Sequence, residues 1–276
     1  MSLTVTTATK FQLLILCALL SACAYGQQTP TKTTKPESAA ETAKVNEAIA
    51  TVKSGDFFPA QLETIAAAGA VEAIPTLKEQ FARSHDWLTK AKLASALVRL
   101  GGDQDDICWD FLAKQATLAV ESDAPDFMNL DPRAKTSAGP SPEFTAWANA
   151  HKLDPQEAGG DAMYWFPGKI MLLASTGDGR AIPLLRQGLL SPNHQIEYVS
   201  ALGLAELQDK DSIPLILLAC KIAPEAIAPA IAESLVYFDD PEAQKAVDAY
   251  VPKERARILR EGKTAGRKSP FQSSFQ

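Results

Sequence analysis

The chain repeats itself. LASTGDGRAIPLL (Leu173–Leu185) returns 31 residues later as LAELQDKDSIPLI (Leu204–Ile216). Each copy holds an apolar helical run, a polar turn with Asp178 or Asp209, then Ile-Pro (Ile182-Pro183, Ile213-Pro214) and more aliphatics. A fixed period of this size predicts stacked units, each of which buries its apolar face only against its neighbours. The pattern extends outward. IAAAGAVEAIPTL (Ile65–Leu77) carries Ile74-Pro75, LVRLGGDQDDICWDFL (Leu97–Leu112) places Ile107 in register with Cys108 in place of proline, and LVYFDDPEAQKAV (Leu235–Val247) follows the Leu204 copy by 31 residues. Asp103, Asp178, Asp209 and Asp240 fall four residues before the Ile position or its equivalent. A carboxylate there suits the free N–H groups and positive end of the next helix, so these aspartates read as caps and not as catalysts.

Gly177-Asp178-Gly179-Arg180-Ala181-Ile182-Pro183-Leu184-Leu185, closed by Ala201 to Leu207, resembles the HEAT-like repeat family, in the short variety also found in phycobilin lyases. Units there run Gly-Asp-x-x-Ala-Ile/Val-Pro-x-Leu through a first helix and end Ala-Leu-x-x-Leu in a second. The resemblance covers about Ala43 to Gly262 and implies an all-α fold, a right-handed α-solenoid of about five helix pairs with one long loop insertion. Members also favour an arginine in the second helix, which pairs with the turn aspartate. This chain has Lys90, Phe166, Glu197 and Ala228 at those positions.

The N-terminus reads as a leader. Lys10 precedes the apolar run Phe11–Leu20, too short to span a membrane but suited to a secretory signal, so residues 1–22 are expected to be removed. Leu20-Ser21-Ala22-Cys23 resembles a bacterial lipobox, which implies lipidation of Cys23 and a lipoprotein held at the membrane. Cleavage after Ala24 or Gly26 is the competing reading, and either route predicts export. From residue 23 to 42 the chain offers little large apolar surface to offset its ordering entropy and reads as a disordered tether.

From Ala43 the pattern predicts helices: a short pair over Val45–Ala50 and Pro59–Ala68, then Ala73–Arg83 with Trp87–Leu100, and a first helix over Asp106–Val120. The repeat then breaks. Ile107 and Ile182 stand 75 residues apart where one period would give 31 to 33, and the excess, about residues 121–160, is rich in Pro, Gly, Asp and Ser with a helical island at Pro142–Ala150. Long insertions of this kind are commonly functional or disordered. Met163-Tyr164-Trp165-Phe166 follows at once. These rings either plug the gap the insertion leaves in the core or, as Tyr164, Trp165 and Phe166 extended by Tyr198, anchor a partner. Regular pairs resume over Ala181–Leu190 with Asn193–Leu207 and Ser212–Ile222 with Glu225–Tyr237, closed by Ala243–Tyr250 and Glu254–Arg260. Seven basic residues between Lys253 and Lys268 read as the polar outer face of a terminal repeat, with residues 263–276 as a frayed basic tail.

Chemistry is sparse. His85, His151 and His194 each stand alone, with no Cys or second His at ligand spacing, so neither a metal nor a cofactor is expected. No phosphate-cradling glycine loop or nucleophile elbow occurs. Cys108 and Cys220 lie two or more repeats apart and read as buried thiols. A net charge of -6 lacks the concentrated basic face that nucleic acid requires. The expected function is therefore a non-catalytic scaffold in the cell envelope, with a protein partner on the concave face of second helices and a lipid anchor in the membrane. The alternative is a lyase-like or ligand-binding protein that uses the aromatic cluster.

Overall fold

The computed structural model of the chain describes residues 38–127, 140–160 and 166–264, and 75% of these residues are helical, with no strand among them. Six successive helix pairs make up the body: α1 (Ala39–Ser54) with α2 (Pro59–Ala67), α3 (Ile74–Arg83) with α4 (Trp87–Arg99), and α5 (Ile107–Val120), whose partner α8 (Phe166–Ala174) follows two further helices, α6 (Pro142–Ala150) and α7 (Pro155–Gly160). After them come α9 (Ile182–Gly188) with α10 (His194–Glu206), α11 (Ile213–Ile222) with α12 (Ala228–Glu233), and α13 (Pro241–Tyr250) with α14 (Lys253–Thr264). Second helices also pack one on the next, α2 on α4, α4 on α8, α8 on α10 and α10 on α12. Among first helices, α1 meets α3, α5 meets α9 and α11 meets α13.

The repeat positions explain why each unit folds. Leu97, Leu173, Leu204 and Leu235 are all at most 1% exposed, so the residues that set the sequence register are the ones each pair buries. Each contributes about 1.5–3 kcal/mol by leaving water. The Ile-Pro starts are equally local. A single 3₁₀ turn, Val71–Ala73, Gly179–Ala181 or Lys210–Ser212, leads into α3, α9 or α11, where proline holds the second helical position and its missing N–H costs nothing. The residue before each of the first two turns' capping position takes the left-handed conformation, Gly69 at φ 63° and Gly177 at φ 73°. The 31-residue partner of Gly177 is Gln208, held at φ 53° although it carries a side chain; its amide donates to the carbonyls of Ala205 and Tyr237.

Three of the four turn aspartates cap as expected. Asp103 accepts from the amides of Cys108 and Trp109 at 2.9 and 2.7 Å, Asp178 from Arg180, and Asp240 from Glu242 and Ala243. Asp209 does not cap. Its buried carboxylate takes the Arg186 guanidinium in a bidentate pair, Nη2 to Oδ1 and Oδ2 at 3.1 and 2.8 Å, with the Ser212 hydroxyl beside it. An aspartate–arginine pair between units thus exists, but its arginine comes from the first helix α9.

Several expected boundaries shift. The tether read over residues 23–42 ends in helix: α1 starts at Ala39 because Ser38 and Glu41 form a reciprocal capping box, Ser38 Oγ accepting from the Glu41 amide and Glu41 Oε2 from the Ser38 amide. That cap makes the first pair full length, and the described residues hold six pairs where about five were expected. The tail read from residue 263 is helical to Thr264. The described residues of the insertion over 121–160 hold two helices, the expected α6 and the unexpected α7, around a core of their own: Ala124, Phe144, Ala148 and Ala158, with Phe127 and Trp147 packed on it.

Candidate functional site

The second helices, packed one on the next, are crossed by polar links between neighbours. Arg99 of α4 grips Glu63 of α2 through two parallel hydrogen bonds at 2.5 and 3.0 Å. The Ser95 and Ser175 hydroxyls meet at 3.1 Å between α4 and the end of α8. Lys169 of α8 lays its ammonium over the rings of Trp87 and Phe166 at 5.4 and 5.3 Å. Farther along, Arg255 of α14 forks onto Glu233 of α12 at 2.8 and 2.7 Å. Such bidentate pairs hold both charges in a fixed geometry.

Phe166 opens α8 and is half-buried, touching both the main core and the small core of the insertion. It is the joint between them. Tyr198 is half-buried on α10 against the main core, near Glu233, Tyr237 and Arg255; burial first, and then Glu233, raise its hydroxyl pKa. The two rings therefore belong to different neighbourhoods, and no ring contact joins them among the described residues. Tyr164, Trp165 and the lipidation residue Cys23 lie outside the described residues.

The four positions that hold arginine in the resembled repeats do other work. Lys90 sits over Phe81 and Phe111 at 4.9 and 5.9 Å, Phe166 makes the joint just described, and Ala228 is buried. Glu197 is 3% exposed and receives the His194 ring, Nδ1 to Oε2 at 2.7 Å. On the other side of that ring stands Asp126 of the insertion, whose carboxylate accepts from the His194 amide at 2.8 Å and lies 3.6 Å from Nε2. Desolvation raises the Asp126 pKa, and His194 partly offsets it. A histidine that looked solitary in sequence therefore ties the insertion to α10. The i, i+3 spacing of His194 and Glu197 was a readable signal; Asp126, 68 residues away, gave none. His151 stacks on Trp147 at 4.8 Å, and His85 is exposed in the turn before α4.

Elsewhere the charges are used internally. On α14, Arg257 pairs with Glu254 and Glu261, Arg260 with Asp248, and Lys263 with Asp239, so its basic run is largely neutralised by its neighbours. Arg180 bridges Asp106 and Asp178 over the Trp109 ring at 4.2 Å, tying α5 to the turn before α9. Cys108 and Cys220 are free and buried, with thiol pKa values pushed up to about 12 chiefly by desolvation, which leaves them poor nucleophiles. No group of three His, Cys, Asp or Glu able to hold a metal occurs among the described residues, and none of their helices is long and apolar enough to cross a membrane.

Two hollows stand out. One of about 520 Å³ lies along Lys253, Arg257, Arg260, Glu261 and Thr264 and is open to solvent on one side of α14. The other, about 30 Å³, is a notch between α2, α4 and α8. Pockets for small molecules are usually concave, apolar and about 300–1,000 Å³. The larger hollow has the volume without the enclosure, and the notch has room for little more than a water-sized group. Compared with known protein families, characterised proteins and solved structures, the chain matches none.

Proposed function

We propose that this chain is an exported HEAT-like α-solenoid, anchored by lipid at Cys23, that acts as a non-catalytic protein-binding scaffold in the bacterial cell envelope. The observation that supports this reading most is the file of second helices, α2, α4, α8, α10 and α12, each packed on the next. A file of that kind offers a partner a long surface whose side chains are already braced, as the Glu63–Arg99 and Glu233–Arg255 forks brace theirs. Pre-ordered side chains lose less entropy on binding, which favours recognition of a protein over enclosure of a small molecule. Export rests on the leader Met1–Ala22 and the lipobox-like Leu20-Ser21-Ala22-Cys23.

Affinity capture from membranes followed by mass spectrometry tests the proposal, with Trp165→Ala as the companion variant. Buried aromatic anchors dominate interface energies, so Trp165→Ala is expected to weaken capture by about 2 kcal/mol while the melting temperature holds. A stability loss of about 3–5 kcal/mol would instead place the ring in the core. Failure of the folded wild-type chain to enrich any protein above an empty control would remove the scaffold reading.

A further inference from the structure

The 30 Å³ notch lies on the file of second helices, and its lining is chemically uneven. Two cations and one carboxylate border it: Lys92 and Arg99 from α4, and Glu63 from α2. Arg99 is committed to Glu63 by its two-bond fork. Lys92 has no carboxylate within ion-pair distance among the described residues; the acid that acts on it is Asp86, one end of the helix away, which already accepts from the Thr89 amide. The ammonium is partly withdrawn from water, and that burial pushes its pKa down, with Asp86 opposing more weakly. Ser95 and Ser175 stand beside it. Ser175 donates to the Leu172 carbonyl at 2.9 Å, so in the 3.1 Å contact between the two hydroxyls Ser95 is the donor, and its hydrogen can be turned to a better acceptor. Pro59, Leu62 and Leu172 complete the rim with apolar surface.

From this lining we infer that the notch is a subsite for a single side-chain carboxylate, a glutamate or aspartate in an acidic segment of a partner protein. One carboxylate oxygen fits the volume. Lys92 supplies the counter-charge and up to three donors, Ser95 supplies a hydroxyl donor, and the exposed Pro59 at the rim seats the methylene stem. The excess positive charge of the lining is the complement that such a group requires, although the chain as a whole is acidic. An enclosed phosphate or a sugar is excluded by size. The inference rests on the scaffold reading and names the chemistry of its partner.

The test is binding of the full chain to fluorescent poly-L-glutamate at low ionic strength, with dextran sulfate as a polyanion that lacks carboxylates. Wild type is expected to bind poly-L-glutamate in preference to dextran sulfate, and to release it as salt is added. Lys92→Gln should weaken binding about tenfold, the loss of one charge-assisted hydrogen bond. Lys92→Arg should retain most of it, and Arg257→Gln on α14 should leave it unchanged. Far-UV spectra and melting curves of all three variants establish that they are folded. Equal binding by wild type and Lys92→Gln, equal affinity for dextran sulfate, or no binding by wild type overturns the proposal. Membrane capture run in parallel separates the two readings. A chain that binds poly-L-glutamate through Lys92 yet captures nothing keeps the notch and loses the scaffold. One that captures a protein equally well as Lys92→Gln keeps the scaffold and loses the notch.

Discussion

Ser200 is 0% exposed on α10, and its hydroxyl has no hydrogen-bond partner among the described residues. Its oxygen fills the space over Gly188 of α9, where an added Cβ would lie 2.1 Å from Ser200 Oγ and 3.1 Å from Ser200 Cβ. A buried, unsatisfied hydroxyl costs about 1–3 kcal/mol. Alanine is also the better helix former by about 0.5 kcal/mol. Against these stand the oxygen's lost packing contacts, on the order of 0.5 kcal/mol. Ser200→Ala is therefore expected to stabilise the fold by about 1–3 kcal/mol, a rise of about 2–12 °C in melting temperature at about 2–4 °C per kcal/mol. Gly188→Ala alone should destabilise, because overpacking at about 1–3 kcal/mol outweighs a propensity gain of about 1 kcal/mol. Combined, the 2.1 Å conflict disappears and the 3.1 Å contact remains. The double variant should then be more stable than the sum of the singles by at least about 1 kcal/mol. Urea denaturation of the four proteins, followed by circular dichroism, measures the cycle. A loss above about 0.5 kcal/mol for Ser200→Ala, or additivity within error, would refute the reasoning by showing that the hydroxyl is satisfied or that the two helices do not meet as described.

Other expectations follow from single contacts. Asp86 accepts from the Thr89 amide at 2.7 Å, chiefly through which its carboxyl is held below the usual range. A lowered folded pKa contributes stability that is present above the unfolded value near 3.9 and lost as pH falls through the folded one. Asp86→Ala should thus cost about 0.5–1 kcal/mol at neutral pH, as a lost cap does, and the two melting curves should converge in strong acid. Asp126→Ala removes the carboxylate that ties the insertion to His194. Limited proteolysis between Glu121 and Gly160 should then accelerate roughly tenfold, the equivalent of one charge-assisted hydrogen bond, with the remaining helical signal unchanged; equal rates would show that Phe166 alone holds the joint. Cys23→Ser should release the protein from membranes or leave it unprocessed, because stable anchoring needs more than one acyl chain; a mature N-terminus at Gln27 would contradict lipidation while leaving export intact.

Local physics made much of this chain legible. The leucines at 97, 173, 204 and 235 announced a buried register because a helix buries residues at its own period. Ile-Pro announced helix starts because proline acts on its own and adjacent residues, and the island at Pro142–Ala150 was bounded by Ser141 and Pro142 in the same way. The capping box of Ser38 and Glu41 is equally local, though the polar composition around it masks the helix that it starts.

Where helices begin and which face each one buries are written in the chain, since these depend on residues within about a turn of one another, and the 31-residue period is legible as a direct repeat of such local patterns. Which polar groups meet across units depends instead on how the pairs pack. Ser95 finds Ser175 at a separation of 80 residues, Asp126 finds His194 at 68, and Arg99 finds Glu63 at 36. Stacking of the pairs brings such groups within reach, and burial then makes an unpaired charge or hydroxyl costly, so partners are selected by geometry that no short-range pattern encodes. Lys92, left by that same packing half-buried with no carboxylate within ion-pair distance among the described residues, belongs to the second class: its place on a helix is written locally, and its surroundings are not.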